Sequence, residues 1–238
     1  MKIIRPIPFE SVKLFIFDLD GTLVDSREDL ANSVNAMLRH FERPELPHEV
    51  IATYIGDGAP MLVRRALGDP DDESFVADAL VYFLAYYREH KLDFTYVYDG
   101  VFRSLDALAS ELPHAKMAVL SNKPVGPSRA IVEALGLGKY FFQVYGGNSF
   151  HTKKPDAHGA LALLDEAGGV RPEEAVMVGD SAIDVLTARN VGMYAVGCLY
   201  GLAPHTLESA PPDVLVETAD EWRAMLATEE RETTRKGD

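Results

Sequence analysis

Short, wholly apolar runs alternate with stretches of helical period along most of this chain. Val12 to Phe17 is such a run, rich in β-forming residues, and predicts a buried strand ending in the polar tip Asp18-Leu19-Asp20-Gly21-Thr22. From Ser26 the period changes to that of a helix, with Leu30, Val34, Met37, Leu38 and Phe41 on one face. Ser26 and Asp29 have the spacing of a capping box. Pro47 suits the first turn of a helix running to Tyr54, the segment 55–60 is a loop, and Met61 to Leu67 is helical again. Asp72 to His90 predicts a long amphipathic helix. Nothing between residues 25 and 98 alternates with period two, so the segment is expected to be an all-helical insertion.

Beyond Tyr98-Asp99-Gly100 strands and helices alternate. Strands are predicted at Met117–Leu120, Phe142–Tyr145, Ala175–Val178, Tyr194–Val196 and Val214–Val216. Helices are predicted at Pro127–Leu135, Asp156–Ala167 and Ile183–Val191, each closed by a following glycine. The fold class is α/β, a doubly wound parallel sheet with an inserted helical cap. Residues 1–24 and 99–238 form the expected core and 25–98 the cap, with the polar end, Glu229 to Asp238, frayed.

Three strand ends carry polar clusters: Asp18 to Thr22, Ser121-Asn122-Lys123, and Gly179-Asp180-Ser181 with Asp184 just inside the next helix. Lys153-Lys154-Pro155 precedes another helix. Parallel neighbours would bring all four to one sheet edge, beneath the cap. Asp18, Asp20, Asp180 and Asp184 would then crowd together, which raises their pKa values or demands a cation. Oxygen-only ligation with open positions suits Mg²⁺. Phosphoryl transfer needs positioning and charge compensation, and a carboxylate nucleophile divides hydrolysis into two steps. Asp18 fits the nucleophile and Asp20 the group that protonates the leaving oxygen. Ser121, with Asn122 beside it, and Lys154 fit the phosphate oxygens, Lys153 being the alternative to Lys154.

These four motifs in this order resemble the haloacid dehalogenase superfamily of phosphohydrolases, over nearly the whole chain. Tyr54 to Ala59, Tyr87 to His90 and Tyr98 to Val101 make it similar to the phosphoglycolate phosphatases within it. The resemblance implies Asp18 as nucleophile and metal ligand, and Asp20 as general acid/base with its main-chain carbonyl on the metal. It also implies Asp180 as a ligand and Asp184 as an outer or water-mediated one. The implied activity is Mg²⁺-dependent hydrolysis of a small phosphorylated metabolite such as 2-phosphoglycolate through an aspartyl phosphate. A phosphosugar mutase, a pyrophosphatase or a regulator retaining the fold would share the pattern; a carbon–halogen hydrolase has no use for Asp20.

Charge changes the picture further. Against 37 acidic residues stand 23 basic ones, a formal net charge of −14, which disfavours nucleic acid and anionic membranes as partners. An anionic substrate therefore needs a local reversal of the field. Cys198 is the single cysteine, excludes an intrachain disulfide, and sits in an apolar run as a core residue. No apolar stretch is long enough for a signal peptide or a membrane span, and a cytoplasmic location is expected; the oligomeric state is not readable. Thr22 has a local turn or the neighbourhood of Asp18 open to it, and Asp57 in the cap loop is placed to touch substrate or merely to link helices. Arg64, Arg65, His151 and His158 read as surface residues.

Overall fold

The computed structural model describes residues 1–226, so the expected fraying from Glu229 lies outside the described residues. The chain begins with β1 (Lys2–Ile3) and β2 (Leu14–Phe17), then enters the insertion through β3 (Val24–Asp25). Four helices follow, α1 (Arg27–His40), α2 (His48–Ala52), α3 (Ala59–Ala66) and α4 (Glu73–His90), and β4 (Tyr96–Val97) leads out. The remainder runs α5 (Val101–Glu111), β5 (Lys116–Leu120), α6 (Val125–Ala134), β6 (Gln143–Tyr145), α7 (His158–Glu166), β7 (Ala175–Gly179), α8 (Ala182–Val191), β8 (Tyr194–Cys198), β9 (Val214–Val216) and α9 (Glu221–Leu226).

The main sheet has the order β1-β9-β8-β7-β2-β5-β6. All its pairings are parallel except that of β1, an antiparallel edge strand on β9. In the centre β2 shows why its sequence is apolar at every position: all four residues are buried, because both sheet faces are covered. Phe15 and Phe17 turn to one face and join Val101, Leu105 and Trp222 there, while Leu14 and Ile16 turn to the other and join Leu163 and Val185. The cap has a core of its own, in which Leu30, Val34, Leu62 and Phe83 pack together.

Four expectations need correction. The insertion is not wholly helical, since β3 and β4 pair antiparallel where the chain leaves and re-enters the core. Two-residue strands are too short to display any period, so the pattern could not announce them. Helix α5 was not anticipated, although Val101, Leu105 and Leu108 give it a buried stripe against the sheet. The predicted capping box at the start of α1 does not form. Ser26 donates instead to Asp20, and Asp29 is buried, accepting from Phe94 N, Thr95 N and the Thr95 hydroxyl. Asp29 thereby ties α1 to the strand that leaves the cap. Finally, the strand expected from Val12 is β2 and begins at Leu14, after a single 3₁₀ turn at residues 9–11.

Candidate active site

Register places the site. Phe17 is level with Val119 of β5 and with Val178 of β7, so the residues just beyond these strands emerge together at one edge. Asp18, Ser121 and Asp180 occupy those positions. At that edge the chain turns at Gly21, whose φ of +87° strongly favours glycine. A Cβ on Gly21 would stand 2.3 Å from Asp180 Oδ2, and one on Gly201 2.4 Å from the same oxygen. Two glycines thus leave space in which the Asp180 carboxylate sits against the backbone.

One oxygen of Asp18 accepts from Leu19 N at 2.7 Å and lies 2.9 Å from Lys154 Nζ. Lys154, buried, reaches Asp184 Oδ1 at 2.7 Å as well. Asp184 closes a capping box on α8, its other oxygen accepting from the Ser181 hydroxyl at 2.7 Å and from Ser181 N. Asp180 accepts from Leu202 N at 2.6 Å and Ala203 N at 2.9 Å, with a longer contact of 3.4 Å from the Thr22 hydroxyl. Oxygens of Asp18, Asp180 and Asp184 all lie within 4.8 Å of one another. Burial, then the charges of Asp184 and Asp18, push the Asp180 carboxyl up to about 8. Burial raises Asp18 to about 6 against the opposing pull of Lys154.

Asp20 looks elsewhere. Its carboxylate accepts from the Ser26 hydroxyl at 2.5 Å and from Lys123 Nζ at 2.9 and 2.7 Å. Its side chain stands outside the three-carboxylate cluster, which leaves its main chain as the part available to a metal. Asn122 spends its side-chain N–H groups on Gly56 O in the cap loop and Lys154 O in the core, each at 3.1 Å. It joins cap to core, and the side-chain donors a phosphate would need are committed. Ser121 lines the cleft and accepts from Lys123 N at 3.2 Å. The cleft itself is walled on the cap side by Leu30, Ile55, Leu62, Phe83, Leu84 and Tyr87.

Comparison with known proteins follows the same lines. A family model described as haloacid dehalogenase-like hydrolase matches residues 15–198. The chain belongs to the haloacid dehalogenase-like hydrolases. It is 41% identical over 201 residues to a phosphoglycolate phosphatase of Chromobacterium violaceum, covering 81% of this chain and 87% of that one. It is 37% identical over 224 residues to one from Pseudomonas putida, covering 90% and 78%. A crystal structure described as a predicted phosphoglycolate phosphatase, from Haemophilus somnus, superposes with a TM-score of 0.83 at 29% identity, over 91% of this chain and 98% of that one. This hydrolase is therefore an enzyme, a phosphoric monoester hydrolase resembling phosphoglycolate phosphatases.

The family implies a divalent cation, and the residues of this hydrolase fit one. The donors are all hard oxygens, they converge, and one lysine faces three carboxylates, so the cluster carries an excess of negative charge that a divalent cation would offset. Of the two adjacent lysines, Lys154 is the one in the cluster; Lys153 reaches out to the Asp57 carbonyl. Asp57 pairs with Arg65, and Arg64 with Glu73 and Asp69. His151 and His158 are exposed, and Cys198 is buried. No helix among the described residues is long and apolar enough to cross a membrane. Sequence reasoning gave Lys123 no role. The one available signal was its place in the same strand-end cluster as Ser121, and its partner Asp20 lies 103 positions away.

Proposed function

We propose that this hydrolase cleaves a small phosphate monoester, 2-phosphoglycolate being the substrate its relatives' names suggest, by transient phosphorylation of Asp18 with Mg²⁺ bound. Asp18, the main-chain carbonyl of Asp20, Asp180 and Asp184 (directly or through water) would hold the ion. When bound, it neutralises the carboxylates and the phosphate oxygens, so that one anion can attack another.

The chain's own groups do the rest. Leu19 N and Lys154 fix one oxygen of Asp18, leaving the other to approach phosphorus in line with the ester oxygen. Lys154, as a point charge, and the Ser121 hydroxyl take up non-bridging phosphate oxygens. Asp20 gives a proton to the departing oxygen and afterwards takes one from the water that cleaves the acyl phosphate. The apolar cap wall keeps other water away during the first step.

The observation that carries this reading is the placement of Asp18: beside Asp180 at the carboxyl edge of the sheet, paired with a buried lysine, and opening on the cleft. A screen of phosphorylated metabolites with Mg²⁺, run beside Asp18→Asn, tests it. Turnover of the variant should fall by roughly three orders of magnitude or more. Its melting temperature without metal should not fall, because Asn removes a carboxylate that burial disfavours in its charged form. Undiminished turnover by Asp18→Asn would refute the mechanism.

A further inference from the structure

The cap wall poses a difficulty for an anionic leaving group. Among the residues lining the cleft Lys123 is the only one with a positive charge. The other basic side chains near the mouth are engaged: Arg65 with Asp57, Arg64 with Glu73, and Lys153 with the Asp57 carbonyl. Lys154 is held between Asp18 and Asp184. A substrate bearing a second anion beyond the phosphate would meet five aliphatic or phenyl side chains and a single ammonium group.

Lys123 is built for such a contact. Its side chain is 5% exposed, and its ammonium group lies 4.8 Å from the centre of the Tyr87 ring. Tyr87 comes from α4 of the cap, and Lys123 from the core, so the pair spans the cleft. The Tyr87 hydroxyl is buried next to the Lys123 ammonium group, a donor, and has no acceptor for its own proton. A buried hydroxyl without an acceptor costs stability, and its place on a substrate cleft leaves its proton available to one.

Distance selects the acceptor. An ester oxygen within hydrogen-bond reach of Asp20, about 3 Å, lies close to Lys123, whose Nζ is 2.7 Å from that carboxylate. An anion joined to the ester oxygen through one carbon falls in the same small space; one borne on a sugar would be carried past it.

We infer that Lys123 and Tyr87 form the specificity subsite of this phosphatase, recognising a carboxylate one carbon removed from the phosphoester oxygen. This rests on the phosphatase reading above and adds to it the residues that choose the leaving group. Lys123 exchanges part of its contact with Asp20 for the incoming carboxylate, and Tyr87 donates its hydroxyl proton to the same group.

The test compares 2-phosphoglycolate with ethyl phosphate, which keeps the ester and loses the carboxylate. Turnover of both is measured for the wild type, Lys123→Met and Tyr87→Phe. Binding of both is measured by calorimetry with Mg²⁺ in the Asp18→Asn protein, with and without Lys123→Met. The wild type should favour 2-phosphoglycolate by roughly 100-fold in kcat/KM, and Lys123→Met should collapse that ratio towards one. Both esters should also lose whatever Lys123 contributes by positioning Asp20, a factor common to the two. Tyr87→Phe, which removes a hydroxyl that has no acceptor, should keep or raise the melting temperature and cut the ratio about fivefold, mostly through KM. A wild type with no preference, or a Lys123→Met protein that slows both esters equally and binds them as selectively as before, overturns the subsite. Selective binding that Lys123→Met abolishes, in a protein whose turnover ignores Asp18→Asn, sustains the subsite and sinks the phosphorylated-aspartate reading instead.

Discussion

Loading the carboxylate cluster with Mg²⁺ should expel protons, and the number follows from the site's electrostatics. In the metal-free protein burial, reinforced by Asp184 and Asp18, holds Asp180 near 8, and burial holds Asp18 near 6 despite Lys154. At pH 7 Asp180 therefore carries a proton in about nine molecules in ten and Asp18 in about one in ten, so close to one proton leaves as the ion enters. Between pH 6 and 8 the apparent affinity should climb by roughly tenfold per pH unit, flattening above about 9. The sign for stability is fixed by the same shifts. Both carboxyls bind protons more tightly folded than unfolded, where the ordinary value is 3.8. Hence their contribution to stability is greatest below about 4 and is lost as pH rises through 6 and then 8. Saturating Mg²⁺ should abolish that loss. Calorimetric titration of Mg²⁺ in two buffers of different ionisation enthalpy counts the protons, and urea melts at several pH values follow the stability. Metal affinity that is flat from pH 6 to 8, with no proton released at pH 7, would show that the three carboxylates are not a shared cation site.

Two further substitutions probe how the site is supported. Gly21→Ala should cost at least about 2 kcal/mol in a denaturant melt and abolish Mg²⁺ binding, because the new Cβ would need a left-handed backbone and the space of Asp180 Oδ2. Asp29→Ala should cost about 3 kcal/mol by the same measurement, since it orphans the buried donors of Thr95 and the N–H of Phe94. A melt of that variant within about 0.5 kcal/mol of wild type would mean the contact does not hold the cap's exit strand.

What the sequence disclosed was whatever is encoded locally. The runs at 14–17, 117–120 and 175–178 are apolar at every position, which only a strand covered on both faces requires, and each ends in chemistry-bearing residues within three positions. Convergence of those ends then followed from parallel pairing alone. Partner choice was not legible. The spacing of Ser26 and Asp29 satisfies a capping box, yet Asp20 competes for the hydroxyl and the carboxylate finds two backbone N–H groups 65 and 66 positions away. Thr22 likewise reaches Asp180 instead of Asp18, because the turn at Gly21 points it across the edge. Helix α5 carries the helical period in its buried stripe; strands β3 and β4, two residues each, have no period to offer.

The two lysines at this edge also resolve how a strongly acidic chain handles an anion. Four carboxylates, Asp18, Asp20, Asp180 and Asp184, face two ammonium groups, so two negative charges stand in excess when all are ionised. The excess is not spread evenly. Asp20 has Lys123 to itself, with a hydroxyl besides, whereas Asp18, Asp180 and Asp184 share Lys154. It is in this second group that burial and like charge drive pKa values upward. A divalent cation placed there cancels the excess at the nucleophile and leaves the neighbourhood of Asp20 unaltered. Phosphate and leaving group would then be drawn to separate positive centres, the ion with Lys154 for one and Lys123 for the other. A substrate carrying two anions one carbon apart is the kind that engages both at once.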